Sequence, residues 1–181
     1  IRGNAGAFGA EIGDRVANVQ VFVQNTGAVR EYKKEECGFG YRTSFFKKNP
    51  NLIILSAEVK LDPGNKRDLK KIAEETIAKR EAKHPQSAKC AGSFFVNPIV
   101  TNGKLRDEFE KDTGMSPKGD TLPAGWLIDH TGLRGKRVGG AMISDKHPNY
   151  LVNTGNATVE DVMILSSLVK TRVRNQFNIR L

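Results

Sequence analysis

The sequence predicts an α+β chain in two consecutive segments, about residues 1–83 and 84–181, and three observations carry that prediction. Val19, Val21 and Val23 alternate with Gln20, Phe22 and Gln24 ahead of an Asn25-Thr26-Gly27 turn, the period-two pattern of a half-buried β-hairpin. Two apolar stripes, Leu69, Ile72, Ala73, Ile77 and Val162, Leu165, Val169, Val173, recur at the spacing of one helix face. Between them Lys83-His84-Pro85 stops a helix and marks the boundary.

In chain order, Gly3-Asn4-Ala5-Gly6-Ala7-Phe8-Gly9 is a glycine-rich loop whose backbone can approach a phosphate or a flat ring. Its G-x-x-G-x-x-G spacing is not the dinucleotide fingerprint and no strand precedes it, so a tight turn and a ligand cradle both stand. The hairpin returns over residues 28–32. In Cys37-Gly38-Phe39-Gly40-Tyr41-Arg42, two glycines flank an aromatic, a loop in which packing can hold an arginine that otherwise reads as surface. Residues 52–61, β-branched and aliphatic, predict a central strand. Asp62-Pro63-Gly64 turns the chain into the Leu69 helix, whose stripe is expected to pack in a core.

The run Cys90-Ala91-Gly92-Ser93-Phe94-Phe95-Val96-Asn97-Pro98 gathers chemistry in nine positions. Gly92 admits a ligand close to the backbone, Ser93 can give or take a proton, Phe94 and Phe95 can wall off water, and Asn97 offers donors and an acceptor before Pro98 ends the strand. An ordinary short strand whose serine satisfies itself on backbone is the competing reading. A helix about 105–111 follows, then a loop with Pro117 and Pro123, a helix from Ala124 through Trp126, Leu127 and Ile128 to Gly132, one strand over 138–143 with Gly139 and Gly140 near its start, and a strand at Tyr150-Leu151-Val152. The last helix opens at Thr158 with Asp161 three residues on, a capping box.

Composition bounds the function. Of 181 residues, 38% are apolar and 27% charged, and no run approaches the length of a membrane span. Cys37 and Cys90 form no disulfide framework and no His/Cys cluster has zinc spacing, which predicts a reducing compartment, the cytoplasm, and no metal. A net charge of +9 implies an anionic partner, either a nucleic-acid backbone or a small phosphorylated ligand. The basic residues, among them Lys47, Lys66, Arg67, Lys71, Arg134 and Arg137, are spread over several elements, which favours the small ligand. No nucleophile elbow, P-loop or metal-carboxylate motif is present. The start Ile1-Arg2-Gly3-Asn4 has neither a signal peptide nor an initiating Met, so the chain is expected to begin inside a longer protein.

The order of motifs then matters more than any one of them. Asn4-Ala5-Gly6-Ala7-Phe8-Gly9, Tyr41-Arg42-Thr43-Ser44-Phe45-Phe46, Ala91-Gly92-Ser93-Phe94-Phe95-Val96-Asn97-Pro98, Ala124-Gly125-Trp126-Leu127-Ile128-Asp129, and Gly132-Leu133-Arg134-Gly135 ahead of Gly139-Gly140-Ala141 together resemble the UDP-N-acetylenolpyruvoylglucosamine reductase (MurB) family of peptidoglycan synthesis. The resemblance implies that 1–83 is part of a flavin-binding α+β domain and 84–181 a substrate-binding α+β domain, with a first domain upstream and a closing segment bearing a catalytic glutamate outside this sequence. It implies FAD and NADPH as cofactors, UDP-N-acetylglucosamine enolpyruvate as substrate, a monomer in the cytoplasm, and no nucleic-acid or membrane partner. Arg42 matches the arginine that steadies the substrate carboxylate, and Ser93 the proton donor. Tyr41, Lys83, Asn97 and His147 match substrate contacts, and Asn4, Ala5, Gly6 and Gly9 flavin contacts. Two departures stand out: no tyrosine-bearing insert follows the Leu52 strand, and Val96 stands where many members have lysine. Two alternatives are a basic nucleic-acid-binding module without catalysis and a substrate-binding fragment without turnover.

Overall fold

The computed structural model describes residues 1–84 and 88–181, so Pro85 of the expected boundary lies outside the described residues. The chain divides into two compact units, Ile1–Thr76 and Ile77–Leu181, each α+β.

The first unit opens with a two-rung hairpin, β1 (Gly6–Ala7) and β2 (Ala10–Glu11), and a 3-10 turn over Ile12–Asp14. Then come β3 (Val16–Val23), β4 (Ala28–Lys33), a second 3-10 turn over Lys34–Cys37, the one-turn helix α1 (Phe45–Lys48), β5 (Leu52–Val59) and α2 (Lys66–Lys83), inside which the division between units falls. The hairpin read from the alternating valines is present: Val19 and Val21 are fully buried and Val23 nearly so, against Cys37, Phe46 and Leu52. Burying each valine contributes roughly 1.5–3 kcal/mol. Ser44 caps α1, its hydroxyl accepting from Lys47 N at 3.2 Å and donating to Arg2 O at 2.7 Å.

Two expectations are corrected here. The 52–61 strand is an edge: the sheet order is β4-β3-β5, antiparallel throughout, with β3 at the centre. An aliphatic run on an edge is possible because Ile53, Leu55 and Val59 face outward at 44–53% exposure. The α2 stripe is not core either, since Leu69, Ile72 and Ile77 are 53–59% exposed and no residue of α2 is buried. Periodicity reveals that a helix has an apolar face, not what covers it.

The second unit contains β6 (Lys89–Ser93), α3 (Gly103–Thr113), α4 (Ala124–Asp129), β7 (Arg137–Val138), β8 (Ala141–Ile143), β9 (Tyr150–Asn153) and α5 (Val159–Phe177). The antiparallel sheet runs β6-β9-β8-β7. Its core joins Ile143 and Leu151 to Leu105 and Phe109 of α3, Leu127 and Ile128 of α4, and Leu165, Val169 and Val173 of α5. The predicted capping box opens α5: Thr158 Oγ1 accepts from Asp161 N at 3.1 Å and Asp161 Oδ2 from Thr158 N at 2.9 Å.

The single strand expected over 138–143 is instead the β7–β8 hairpin. Gly139 adopts φ +50°, and Gly140 N donates to Asp161 Oδ2 at 3.1 Å. A Cβ on Gly140 would fall on the backbone of Ala157 and Asn156, so the two glycines make a turn against the start of α5. Among the described residues no helix is long and apolar enough to cross a membrane.

Candidate active site

In the second unit Lys83, Ser93, Asn97 and His147 line one cleft of about 580 Å³, together with Trp126, Asp129, Arg134, Lys146 and Asn149. Ser93 reaches it through a defect in the sheet. Cys90 pairs with Val152 and Ser93 with Tyr150, so Ala91 and Gly92 face Leu151 alone, a β-bulge. Gly92 takes φ +85°, a conformation L side chains rarely adopt, and the bulge re-aims the exposed Ser93 at the strand end.

The next residues are pinned by Asn149, which is 3% exposed. Its backbone carbonyl accepts from Phe94 N at 2.7 Å, its Oδ1 accepts from Phe95 N at 2.8 Å and its Nδ2 donates to Phe95 O at 2.9 Å. This turns Phe95 into the core, at 7% exposure, while Phe94 is 44% exposed; neither lines the cleft. The expectation that the two aromatics wall off water from Ser93 is therefore corrected: one is committed to core packing and the other to the surface.

α4 forms the opposite wall. Asn97 Oδ1 accepts from Ala124 N at 3.0 Å, which satisfies an orphan donor of the first turn from a distant segment. His147 sits close to Gly125, where a Cβ would come within 3.2 Å of His147 Cε1. Past α4, Arg134 donates from Nε and Nη2 to the two oxygens of Asp129, the second bond at 2.7 Å, and from Nη1 to Asp145 O. The Arg134 hydrogen bond holds the Asp129 carboxyl below the usual carboxylate range, and Asp129 in turn raises Arg134. Lys146 Nζ donates to Glu81 O near the end of α2. Three cations around one already paired carboxylate leave the cleft electropositive, suited to a polyanionic ligand.

His84 and His147 stack with ring centroids 5.0 Å apart and planes 19° apart, and both rings meet Tyr150 at 5.2 and 4.8 Å. Burial lowers both pKa values below the ordinary histidine value; for His84 the nearby Arg80, Lys83 and Lys146 add to it, and for His147 so does His84. Both rings are neutral at neutral pH. Asn149 N donates to His147 Nδ1 at 3.2 Å, so the neutral ring carries its hydrogen on Nε2.

In the first unit, Arg42 has φ +53°, rare for a residue with a long side chain. Surrounding bonds hold it there: Gly40 and Thr43 exchange backbone hydrogen bonds at 3.1–3.2 Å across it, and Lys47 Nζ donates to Arg42 O at 2.8 Å. The guanidinium donates from Nη2 to Gly6 O at 2.8 Å and lies 5.2 Å from the centroid of the Tyr41 ring. Among the described residues no carboxylate forms an ion pair with it.

Asn4 organises the glycine loop from inside. It is 1% exposed, its Oδ1 accepts from Gly13 N at 2.9 Å, and its Nδ2 donates to Glu11 Oε2 at 2.6 Å and Gly40 O at 3.1 Å. Outward the loop presents main chain: Ala5 and Gly9 are exposed, and no atom lies within 4 Å of a Cβ built on Gly9 at φ +85°. The open space over Gly9 lets a flat or phosphate-bearing group come close to the main chain.

The structure thus collects Lys83, Ser93, Asn97 and His147 in one cleft and Asn4, Ala5, Gly6, Gly9, Tyr41 and Arg42 around one loop. Asp129 and Arg134 lay inside recognised motifs without a role. Lys146 and Asn149 flank His147-Pro148, where two polar residues beside a proline were the available signal.

A family model described as UDP-N-acetylenolpyruvoylglucosamine reductase, C-terminal domain, matches residues 84–181. Proteins named UDP-N-acetylenolpyruvoylglucosamine reductase match the chain at 34% identity in Solibacter usitatus, over 99% of the chain and 56% of the relative, and at 38% in Fervidobacterium nodosum, over 98% and 50%. The crystal structure of UDP-N-acetylenolpyruvylglucosamine reductase (MurB) from Thermus caldophilus is similar with a TM-score of 0.73 at 34% identity, over 99% of this chain and 56% of that one. The chain spans about half the length of the curated relatives it matches.

Proposed function

Because the chain belongs to the UDP-N-acetylenolpyruvoylglucosamine reductase (MurB) family, we propose that the protein containing it reduces UDP-N-acetylglucosamine enolpyruvate to UDP-N-acetylmuramate, a cytoplasmic step of peptidoglycan synthesis. The single observation that carries this reading for the chain's own residues is that Lys83, Ser93 and Asn97, together with His147 from fifty residues further on, line one basic cleft.

FAD, held at the glycine loop, would supply the hydride, drawn from NADPH, for the β carbon of the enolpyruvyl group. Main-chain groups of Ala5, Gly6 and Gly9 would hold it, and Asn4 shapes the loop from within. What remains is to manage the charge that develops on the substrate's α carbon beside its carboxylate. Arg42 is built for that: its guanidinium is oriented by a carbonyl and an aromatic ring, and its planar fork matches two carboxylate oxygens. A non-glycine residue held at positive φ also suits a position where geometry matters more than backbone ease.

Ser93 gives its proton to the α carbon. A free serine hydroxyl is a poor acid, so the transfer depends on surroundings that favour the alkoxide left behind. Lys83, Lys146 and Arg134 in the same cleft provide that bias, and they receive the diphosphate of the substrate. Asn97 fixes the start of α4 against the Ser93 segment, while Tyr41 and His147 shape the contacts with substrate.

The test is direct. Full-length protein is mixed with NADPH and UDP-N-acetylglucosamine enolpyruvate, and NADPH consumption is followed with the mass of the nucleotide product. A product heavier by one H₂ supports the reading; unchanged substrate with a folded, flavin-loaded protein refutes it.

A further inference from the structure

Resting on the reading of Ser93 as proton donor, we propose that Asn149 is the positioning residue of the cleft: its carboxamide holds the turn that carries Ser93, and its backbone N–H holds the ring of His147.

The pairing of β6 with β9 ends at Ser93 and Tyr150. One more backbone bond follows, Phe94 N to Asn149 O at 2.7 Å, and there β6 leaves the sheet. Phe95 then has an N–H and a C=O with no strand opposite, in a position only 7% exposed. The Asn149 carboxamide answers both, with acceptor and donor side by side as in a peptide group. The turn is thereby fixed on both flanks, by the Tyr150 pairing before Ser93's departure and by Asn149 after it. The two partners are 54 residues apart in sequence, so nothing local holds this geometry.

The same residue reaches the other lip of the cleft. Asn149 N donates to His147 Nδ1, and Tyr150 N closes the short turn onto His147 O at 3.0 Å. Asn149 therefore ties the Ser93 turn to the ring that stacks on His84. Both ends of its carboxamide are spent on Phe95, so it acts through Ser93 and takes no part in the chemistry itself.

The experiment uses full-length protein carrying Asn149→Asp. The new carboxylate, when ionised, has acceptors only: it keeps the bond from Phe95 N but sets a negative oxygen against Phe95 O. When protonated it regains the donor. Turnover relative to wild type should fall about tenfold to a hundredfold at about pH 8 and recover as pH falls and the buried carboxyl takes up its proton. Flavin reduction by NADPH should stay within about threefold of wild type, because it does not require the Ser93 proton. A variant-to-wild-type ratio that is flat with pH, or an equal slowing of both half-reactions, would overturn the proposal and leave Asn149 a merely structural amide.

Amide exchange at Phe94 and Phe95 gives a reading independent of activity. The repelled Phe95 carbonyl pulls the turn away from residue 149, so protection at both amides below wild type in Asn149→Asp at about pH 8, and equal to wild type in acid, supports the clamp. Protection equal to wild type at both pH values contradicts it, whether or not the wild-type protein turns over this substrate. A wild type without that turnover but with the expected exchange pattern would sink the functional reading and leave the clamp standing.

Discussion

Asp129 grips Arg134 by both oxygens, across five residues that close the corner after α4. The pair fixes a planar, charged group at the rim of the Ser93 cleft, and the third guanidinium nitrogen is tied to Asp145 O.

Asp129→Asn should therefore loosen Arg134 without removing it. The uncharged carboxamide accepts at one oxygen only, so Arg134 loses its orientation and the anionic substrate loses a pre-placed partner. KM for the substrate should rise about tenfold, measured by steady-state kinetics on the full-length protein. An unchanged KM would show that the pair only braces the corner.

The histidine stack sets a pH dependence. Folding lowers the pKa of both His84 and His147, chiefly by burial, with Arg80, Lys83, Lys146 and Arg134 also disfavouring protonation and Asp129 opposing them at His147. A folded-state pKa below the unfolded value means that stability is fully present above the ordinary histidine pKa, near 6.5, and is lost as pH falls through the lowered values. Melting temperature should drop between about pH 7 and about pH 5, and a double variant with His84→Phe and His147→Phe, which keeps the stack and removes the charge, should flatten that drop. An equal drop in the double variant would assign the effect to carboxylates instead.

Gly140→Ala should be among the most damaging single-methyl changes in the chain. The new Cβ would lie 2.6 Å from Ala157 Cα and Asn156 C, backbone atoms that cannot rotate aside. A loss of about 1–3 kcal/mol or more follows from such overpacking, read by denaturant unfolding. A change under about 0.5 kcal/mol would mean the β7–β8 turn gives way easily.

These contrasts mark what a sequence discloses. The β3–β4 hairpin and the α5 capping box are legible because their signals are local: valines at period two, a threonine followed by an aspartate. The edge position of β5, the bare face of α2 and the turn at Gly139-Gly140 depend on what lies opposite, which no local pattern encodes. In the site, Ser93 and Asn97 stand out by residue type within one short run, whereas Asn149 acts on a segment far away in sequence and the Asn4 carboxamide is spent on Gly13, Glu11 and Gly40, partners that only the fold brings to it.

Arg42→Lys keeps the charge and should still be severely harmful. Lysine is a point charge without a fork, and it loses the planar contact with the Tyr41 ring and the bond to Gly6 O that orient the guanidinium. Turnover should fall about 100-fold or more. Near-native turnover would make Arg42 an ordinary surface residue.

The most direct test of the central claim is rapid-mixing absorbance of the two half-reactions in Ser93→Ala and Ser93→Cys full-length protein. A group that only protonates the product carbon has no part in the reduction of flavin by NADPH, so bleaching should run at the wild-type rate in both variants. Reoxidation by the enolpyruvyl substrate should slow by about 100-fold or more in Ser93→Ala and by less in Ser93→Cys, which keeps a transferable proton. Folding should survive, because removing one hydroxyl costs no more than about 1–3 kcal/mol. If Ser93→Ala slows both half-reactions equally, or slows neither, Ser93 is a structural residue at the end of β6 and not the proton donor.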